Sequence, residues 1–183
     1  MRPAPAGPDT GGIMAFREVD INDLVINPFE KIGSEWALVT AGTEHLFNTM
    51  TVSWGAMGVI WEKNVVTVYI RPQRYTKQFV DAADKFTLSF YGPEHKGTLG
   101  VLGTKSGRDT PKVAEVGFTP MPVDGTMAFE EASLVFVCRK LYADDIKPAR
   151  FIDTSCDTDM YPEHDYHTMY IAEVERVLVR EDA

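Results

Sequence analysis

The chain is short of cysteine and of positive charge. Only Cys138 and Cys156 are cysteines among its 183 residues, and 18 lysines and arginines stand against 27 acidic residues, giving a formal net charge of −9. Two thiols do not make a disulfide framework, so we expect reduced cysteines and a cytoplasmic protein. The acidic balance argues against a nucleic-acid-binding protein, because no broad basic face is available to displace counterions.

Long apolar runs are also missing. No stretch approaches the roughly 20 apolar residues that a membrane helix needs, so we expect no membrane association. The first residues, MRPAPAGPDTGG, are rich in proline and glycine and lack a signal-peptide core. We expect 1–13 to be a disordered extension and 14–183 to form one domain.

What the chain does contain is a series of short segments rich in β-branched and aromatic residues, which is typical of strands. The predicted strands are 35–42, 48–54, 64–70, 85–91, 128–145 and 167–179. The last two are long enough for a bent strand or a pair of strands. One phase slip in the apolar pattern of 167–179 suggests a β-bulge.

Helical patterns are fewer and shorter. They cover 76–84, 94–103 and 109–117, and the glycines of the second weaken it. The third has Pro111 as the expected first helical residue and Gly117 as its terminator. Many short strands with a few short helices indicate a small antiparallel barrel with helical decoration.

A basic cluster, IRPQRYT, directly follows the predicted strand 64–70. Arg71 and Arg74 can grip a phosphate with paired, charge-assisted hydrogen bonds. Thr76 is a candidate N-cap of the next helix, whose free N–H groups favour an anion. The cluster suggests a monophosphate site, and the alternative is a solvated turn whose arginines pair with surface carboxylates.

The stretch NTMTVSWG alternates hydroxyl and apolar residues, so one face of a strand would point inward and the other outward. Free backbone amides at a strand edge could hydrogen-bond the polar rim of a flat heterocycle, and Trp54 could cover one face of that heterocycle. The alternative is an ordinary strand with polar residues facing solvent.

Two further stretches give weaker indications. In GTKSGRD (103–109), Lys105 could bring its ammonium group near a phosphate or an electron-rich ring, or could simply be solvated. In 156–167, one cysteine and two histidines, among them His167, could be metal ligands or a nucleophile and its base. We favour a solvated acidic loop with no metal, because the spacing is not that of structural zinc.

The order of the motifs along the chain is more specific than any one of them. NTMTVSWG, IRPQRYT, FTLSFY, GTKSGRD and HTMYIAEV resemble the flavin reductase-like proteins with an FMN-binding split barrel, and their flavoredoxin-like branch in particular. The resemblance covers roughly residues 20–180. It implies a mainly β fold, a six-stranded antiparallel Greek-key split barrel with a few short helices. It also implies a homodimer with FMN near the interface.

The resemblance further implies a set of cofactor-binding residues. Those expected along the isoalloxazine ring and ribityl chain are Asn48, Thr49, Met50, Thr51, Val52, Ser53 and Trp54. Those expected along the phosphate are Arg71, Pro72, Arg74, Tyr75 and Thr76. Lys105 and Ser106 would approach the flavin from their loop, and His167 would lie close to the ring. Catalytic residues stay unassigned, apart from an electrostatic role for Lys105 or His167.

The function expected from the resemblance is that of an FMN-dependent oxidoreductase of the NAD(P)H:flavin reductase type. Electrons would pass from NADH, NADPH or a redox protein through bound FMN to an acceptor. No Rossmann fingerprint is present, so a nicotinamide would have to stack over the open flavin face. One alternative is a non-enzymatic FMN carrier or storage protein. A more remote alternative is haem bound at His167.

Overall fold

A computed structural model describes residues 15–181, and strands make up most of its regular structure. The expected disordered extension, 1–13, lies outside the described residues. The strands are β1 (Phe16–Val19), β2 (Ala37–Thr43), β3 (Leu46–Val52), β4 (Gly55–Ile60), β5 (Lys63–Ile70), β6 (Lys85–Phe90), β7 (Pro120–Val123), β8 (Thr126–Phe129), β9 (Leu134–Asp145) and β10 (Thr168–Arg180). The α-helices are α1 (Tyr75–Ala82), α2 (Lys96–Thr104), α3 (Lys112–Val116) and α4 (Ser155–Met160), and a π-helical turn covers Glu30–Glu35.

Eight strands form one antiparallel sheet in the order β3-β2-β6-β9-β10-β5-β4, with β1 paired to the end of β10. The remaining two strands form the separate hairpin β7–β8. Strand β10 joins the two halves of the sheet, because it pairs with β9 along most of its length and with β5 over its first residues. The expected mainly β, antiparallel fold with a few short helices is confirmed.

The structure has more strands than the six expected. Strands β1, β4 and β7 are the additions, and 128–145 divides into the end of β8 and all of β9. The β-bulge suggested in the last strand is confirmed, since the register of β10 against β9 shifts between Ile171 and Ala172 and again between Val174 and Arg176.

Both faces of the central sheet are covered. In β2, the adjacent residues Leu38 and Val39 are fully buried but belong to two different apolar clusters, one on each face. Helix α1 packs Val80 into one cluster, and α2 packs Leu99 and Leu102 into the other. Because both faces are covered, β9 begins with the continuous apolar run LVFVC, and β6 buries Thr87 and Ser89 between its apolar residues.

The three predicted helices differ from the observed ones mainly at their starts, and α4 forms in a segment where a solvated acidic loop was expected. Arg74, not Thr76, is the N-cap of α1, and no side chain caps this helix. The expectation for Thr76 as a cap was wrong. Pro111 is the N-cap of α3 rather than its first residue, whereas Gly117 does end that helix, with a left-handed φ of 73°. Among residues 15–181, no helix is long and apolar enough to span a membrane.

Candidate functional site

Three chain segments meet where β5 ends. Gly55 of β4 pairs with Val68 of β5, and Thr168 of β10 pairs with Ile70. Trp54, just before β4, and His167, just before β10, are thereby placed on either side of the end of β5. This arrangement brings together segments that are more than 100 residues apart in the sequence.

A cavity of about 230 Å³, which we call the polar cavity, lies at this junction. Its lining residues come from β3 and the corner after it, from the end of β5, from the start of α1 and from the start of β10. They are Met50, Thr51, Val52, Ser53, Trp54, Tyr69, Arg71, Arg74 and His167. Eight of these nine residues belong to the predicted cofactor-binding set, and Tyr69 is the addition.

The two arginines converge because they are the first and last residues of one turn. The backbone N–H of Arg74 donates to the carbonyl of Arg71 over 3.1 Å, and Pro72 occupies the second position, where its fixed φ suits a turn. A strand end followed by a turn and a helix start therefore directs both guanidinium groups into one cavity.

Each arginine already makes contacts that fix its position. The Arg71 guanidinium pairs with the Asp165 carboxylate, donates to the Met160 carbonyl over 2.9 Å and lies 5.2 Å from the centre of the Tyr161 ring. Arg74 donates to the Gly103 carbonyl at the end of α2 over 2.8 Å. A guanidinium has five N–H donors, so both side chains keep donors for an anion.

His167 is a buried, uncharged member of the polar cavity. Burial and the neighbouring Arg71 cation lower the pKa of His167 to about 4. Its Nδ1 shares a 2.8 Å hydrogen bond with the Tyr161 hydroxyl, and its ring lies 5.0 Å from that of Trp54. At neutral pH the imidazole therefore offers hydrogen bonds rather than a positive charge.

Strand β3 contributes the consecutive residues Met50, Thr51 and Val52 and its free edge. It stands at the end of the sheet order, so among the described strands it pairs with β2 alone. Thr51 lines the polar cavity and donates to the Leu99 carbonyl of α2 over 2.5 Å. Thr49 lies on the same face of β3 but does not line the polar cavity, since it is fully buried and shares a 2.8 Å hydrogen bond with Thr40.

Asn48 and Thr76 do not line the polar cavity but support its walls. The Asn48 amide donates to the Thr76 hydroxyl over 2.8 Å, which joins β3 to α1 deep inside the protein. Gly107 packs directly on Asn48, because any Cβ at position 107 would collide with the Asn48 amide oxygen. The glycine therefore allows the 103–109 loop to lie close against β3.

Four other predicted residues also lie outside the lining of the polar cavity. Pro72 is exposed in its turn, and Tyr75 lines a different groove beside α1. Lys105 is half exposed and pairs with Glu115 over 2.6 Å. Ser106 accepts a hydrogen bond from the Arg108 N–H within its own loop.

A buried lysine that the sequence patterns do not mark secures the same loop. Lys112 donates to the carbonyls of Leu102 and Lys105 over 2.7 and 3.0 Å. Burial, with a smaller effect of the nearby Arg74, lowers the pKa of Lys112 to about 8. Lys112 and Arg74 together satisfy carbonyls at the C-terminal end of α2, which are otherwise left without partners.

A second, larger cavity of about 730 Å³ adjoins the polar cavity, and we call it the apolar cavity. Residues from 28–33, 53–57 and 146–161 line it together with Tyr69. Ser53, Trp54 and Tyr69 belong to both linings and form a shared wall. No described residue of the apolar cavity's lining is charged.

Sequence reasoning missed Tyr69, Tyr161 and Asp165. Tyr69 had a signal, since it lies two residues before Arg71, which is the spacing of neighbours on one side of an extended chain. Tyr161 and Asp165 had none, because their contacts with Arg71 span about 90 residues of intervening sequence. In the part of the chain that the structure describes, no group of three His, Cys, Asp or Glu residues is placed to hold a metal ion.

Comparison with known proteins agrees with this geometry. The structure resembles the FMN-binding domain of a flavin reductases-like enzyme from Shewanella baltica OS155, with a TM-score of 0.65 and 15% identity over 90% of this chain and 77% of that one. It resembles flavoredoxin of Desulfovibrio vulgaris (Miyazaki F), with a TM-score of 0.63 and 20% identity over 80% and 70% of the two chains.

A third similar structure is the flavin reductase of styrene monooxygenase from Pseudomonas putida S12, with a TM-score of 0.59 and 19% identity over 80% of each chain. Comparison with the sequences of curated proteins gives no significant match. The sequence profile described as "Flavin reductase like domain" matches residues 29–183, which is most of the chain. The chain therefore belongs to the flavin reductase-like domain family.

Proposed function

We propose that this protein binds FMN in the polar cavity and acts as an FMN-dependent oxidoreductase. The observation that carries the proposal is the convergence of Arg71 and Arg74 beside the free edge of β3 and the ring of Trp54. An anion-binding end, a hydrogen-bonding edge and an aromatic face are what a flat heterocycle with a phosphate group requires.

The arginine turn fits the phosphate. Both guanidinium groups retain N–H donors that can pair with phosphate oxygens, and they approach from adjacent positions on one turn. The 230 Å³ of the polar cavity falls below the roughly 300–1,000 Å³ usual for small-molecule sites. The cofactor would therefore extend along the edge of β3 beyond the arginines.

The β3 edge fits the heterocycle. Backbone N–H and C=O groups from Met50 to Val52 can hydrogen-bond its polar rim, since β3 pairs on one side only among the described strands. Trp54 keeps 43% of its surface exposed and can cover one face of the ring. Bound FMN would supply the electron transfer itself, while the protein supplies position and electrostatics.

We favour an enzyme over a non-enzymatic FMN carrier or storage protein. A carrier is expected to close off its flavin ring, whereas here an open cavity of about 730 Å³ shares a wall with the polar cavity. NADH, NADPH or a redox protein is the proposed electron donor. The similar structures include one named a flavin reductase and one named a flavoredoxin, which is compatible with a nicotinamide nucleotide or a redox protein as the donor.

We also propose a homodimer in the cytoplasm. Val59, Ile60 and Trp61, at the end of β4 and in the turn after it, expose 72%, 38% and 54% of their surface, and a contiguous group of exposed apolar side chains is typical of a protein–protein contact. Both cysteines are free, as expected in a reducing compartment. Sedimentation of the wild type against Val59→Asp tests the dimer, which should dissociate in the variant.

The first experiment is a visible absorption spectrum of the freshly purified protein, with the released chromophore identified by mass. A yellow protein that releases FMN, followed by anaerobic bleaching with NADH or NADPH, is the expected result. A protein that is colourless and takes up no added FMN would contradict the proposal. Tight FMN binding without reduction by any donor would favour the carrier.

A further inference from the structure

The apolar cavity is built for a different kind of molecule from the one proposed for the polar cavity. Five aromatic side chains, Phe29, Trp54, Tyr69, Phe151 and Tyr161, belong to its lining, and two methionines accompany them. Aromatic rings and thioethers both make favourable contacts with the face or edge of another ring.

The absence of charge in the lining further restricts the kind of ligand that the apolar cavity can bind. None of its described residues carries a charge, and its polar groups are limited to hydroxyls, one thiol, the indole N–H of Trp54 and backbone. A charged ligand group that packs against this lining would lose part of its hydration without gaining a counter-ion, which is unfavourable. The pyrophosphate of a dinucleotide would likewise find no cation in this lining.

The position of the apolar cavity connects it with the proposed flavin site. Ser53, Trp54 and Tyr69 separate the two cavities and belong to both. Tyr161 of the apolar cavity shares a 2.8 Å hydrogen bond with His167 of the polar cavity. Only the thickness of one side chain therefore separates a molecule in the apolar cavity from a ligand in the polar cavity.

We propose that the apolar cavity is the site of a second substrate, an uncharged, flat aromatic compound held against Trp54 and Tyr69. This inference rests on the proposed function, because it assigns the molecule that would exchange electrons with FMN in the adjoining cavity. The volume, about 730 Å³, lies within the range usual for small-molecule sites, roughly 300–1,000 Å³.

The test is calorimetric titration of 2-naphthol into the FMN-loaded protein and into flavin-free protein. We expect one site in both forms. Ala56→Trp places bulk in the cavity and should weaken 2-naphthol binding by at least about tenfold. Ala143→Trp, the same substitution at an exposed strand position outside the cavity, should leave it unchanged.

A second cavity variant, Phe29→Ala, keeps the proposal testable if Ala56→Trp does not fold. Phe29 is 88% exposed, so Phe29→Ala should fold normally and weaken 2-naphthol binding by about three- to tenfold through loss of one aromatic contact. Equal affinity for the charged analogue 2-naphthoate would overturn the proposal. So would displacement of 2-naphthol by FMN from the flavin-free protein, since the cavity would then belong to the flavin.

The two proposals fail in different ways. If the protein takes up no FMN, the proposed flavin function fails, while titration of the flavin-free protein still tests the cavity. If FMN binds and 2-naphthol does not, the flavin function stands and the second-substrate site is overturned.

Discussion

The polar and apolar cavities share a wall but differ completely in charge. The polar cavity gathers two guanidinium groups and a buried imidazole, whereas the described lining of the apolar cavity has no charged side chain. The division follows the wall formed by Ser53, Trp54 and Tyr69. One junction of strands can therefore offer an anion-binding end on one side and an open, aromatic-lined cavity on the other.

The difference originates in short stretches of backbone. The arginine turn places both cations on the polar side, and the buried His167 there stays uncharged at neutral pH because burial and Arg71 lower its pKa. On the apolar side, the segment 146–161 brings aromatic and thioether groups and directs none of its charged side chains into the lining. Single substitutions on the polar side should therefore change FMN affinity or stability by different amounts, and the predictions below run from the largest effect to the smallest.

The largest effect should come from the arginines. Arg71→Ala and Arg74→Ala should each weaken FMN binding by about 1.5–3 kcal/mol, the usual loss for a hydrogen bond to a charged group. Fluorescence titration of FMN measures this. Arg150→Ala, an exposed arginine outside the polar cavity, is the control and should bind FMN like the wild type. Unchanged affinity in both cavity variants would remove the phosphate assignment.

Lys112 should have the next largest effect, because it supports the polar cavity without lining it. Lys112→Met leaves the carbonyls of Leu102 and Lys105 without their donor, which should lower the free energy of unfolding by about 1–3 kcal/mol. Urea denaturation measures the change. Lys147→Met, at an exposed surface pair with Asp144, should cost far less. Equal losses in both variants would contradict the supporting role of Lys112.

The buried imidazole should make stability depend on pH. Because the pKa of His167 is lowered to about 4 in the folded protein, the unfolded chain binds more protons than the folded one between about pH 4 and 6.5. The stabilisation is present above pH 6.5 and is lost as the pH falls toward 4. Between pH 6.5 and 5, the wild type should lose on the order of 1 kcal/mol more than His167→Gln.

Urea denaturation at several pH values measures this difference, and the imidazole resonance of His167 gives an independent reading. That resonance should not titrate above pH 5. An ordinary titration near pH 6.5 would mean that the imidazole is not buried beside Arg71 in solution.

The smallest effect should be a gain in FMN affinity. Asp165 pairs with Arg71 and accepts a 2.7 Å hydrogen bond from Gln73, so its carboxylate competes with an incoming phosphate for the same guanidinium. Asp165→Asn should tighten FMN binding by about two- to fivefold, in line with the modest strength of a partly exposed ion pair. Weaker binding would instead mean that Asp165 positions Arg71 for the phosphate.

Much of the fold was predictable because the apolar pattern and the motifs are local. The strands 64–70 and 85–91 match β5 and β6 within one residue, and the phase slip in the last strand marked its bulges. Strand β4 was missed because GAMGVI has two glycines and an alanine, which have low strand propensity. It forms because pairing with β5 outweighs that propensity.

The site was predictable where the residues are neighbours in sequence and unpredictable where they are not. Met50 to Trp54 and the two arginines meet in the polar cavity as the motifs indicate. The burial of Thr49 against Thr40, the contact of Thr76 with Asn48 and the pairing of Lys105 with Glu115 depend on long-range packing or on rotamers. Neither is encoded in a short motif.

The most direct test of the central claim compares FMN with riboflavin, which lacks the phosphate. If the arginine turn holds the phosphate, the wild type should prefer FMN over riboflavin by more than about 30-fold, or roughly 2 kcal/mol. That preference should largely vanish in the Arg71→Ala/Arg74→Ala double variant. An equal preference for FMN in both proteins would show that the phosphate binds elsewhere and would contradict the account.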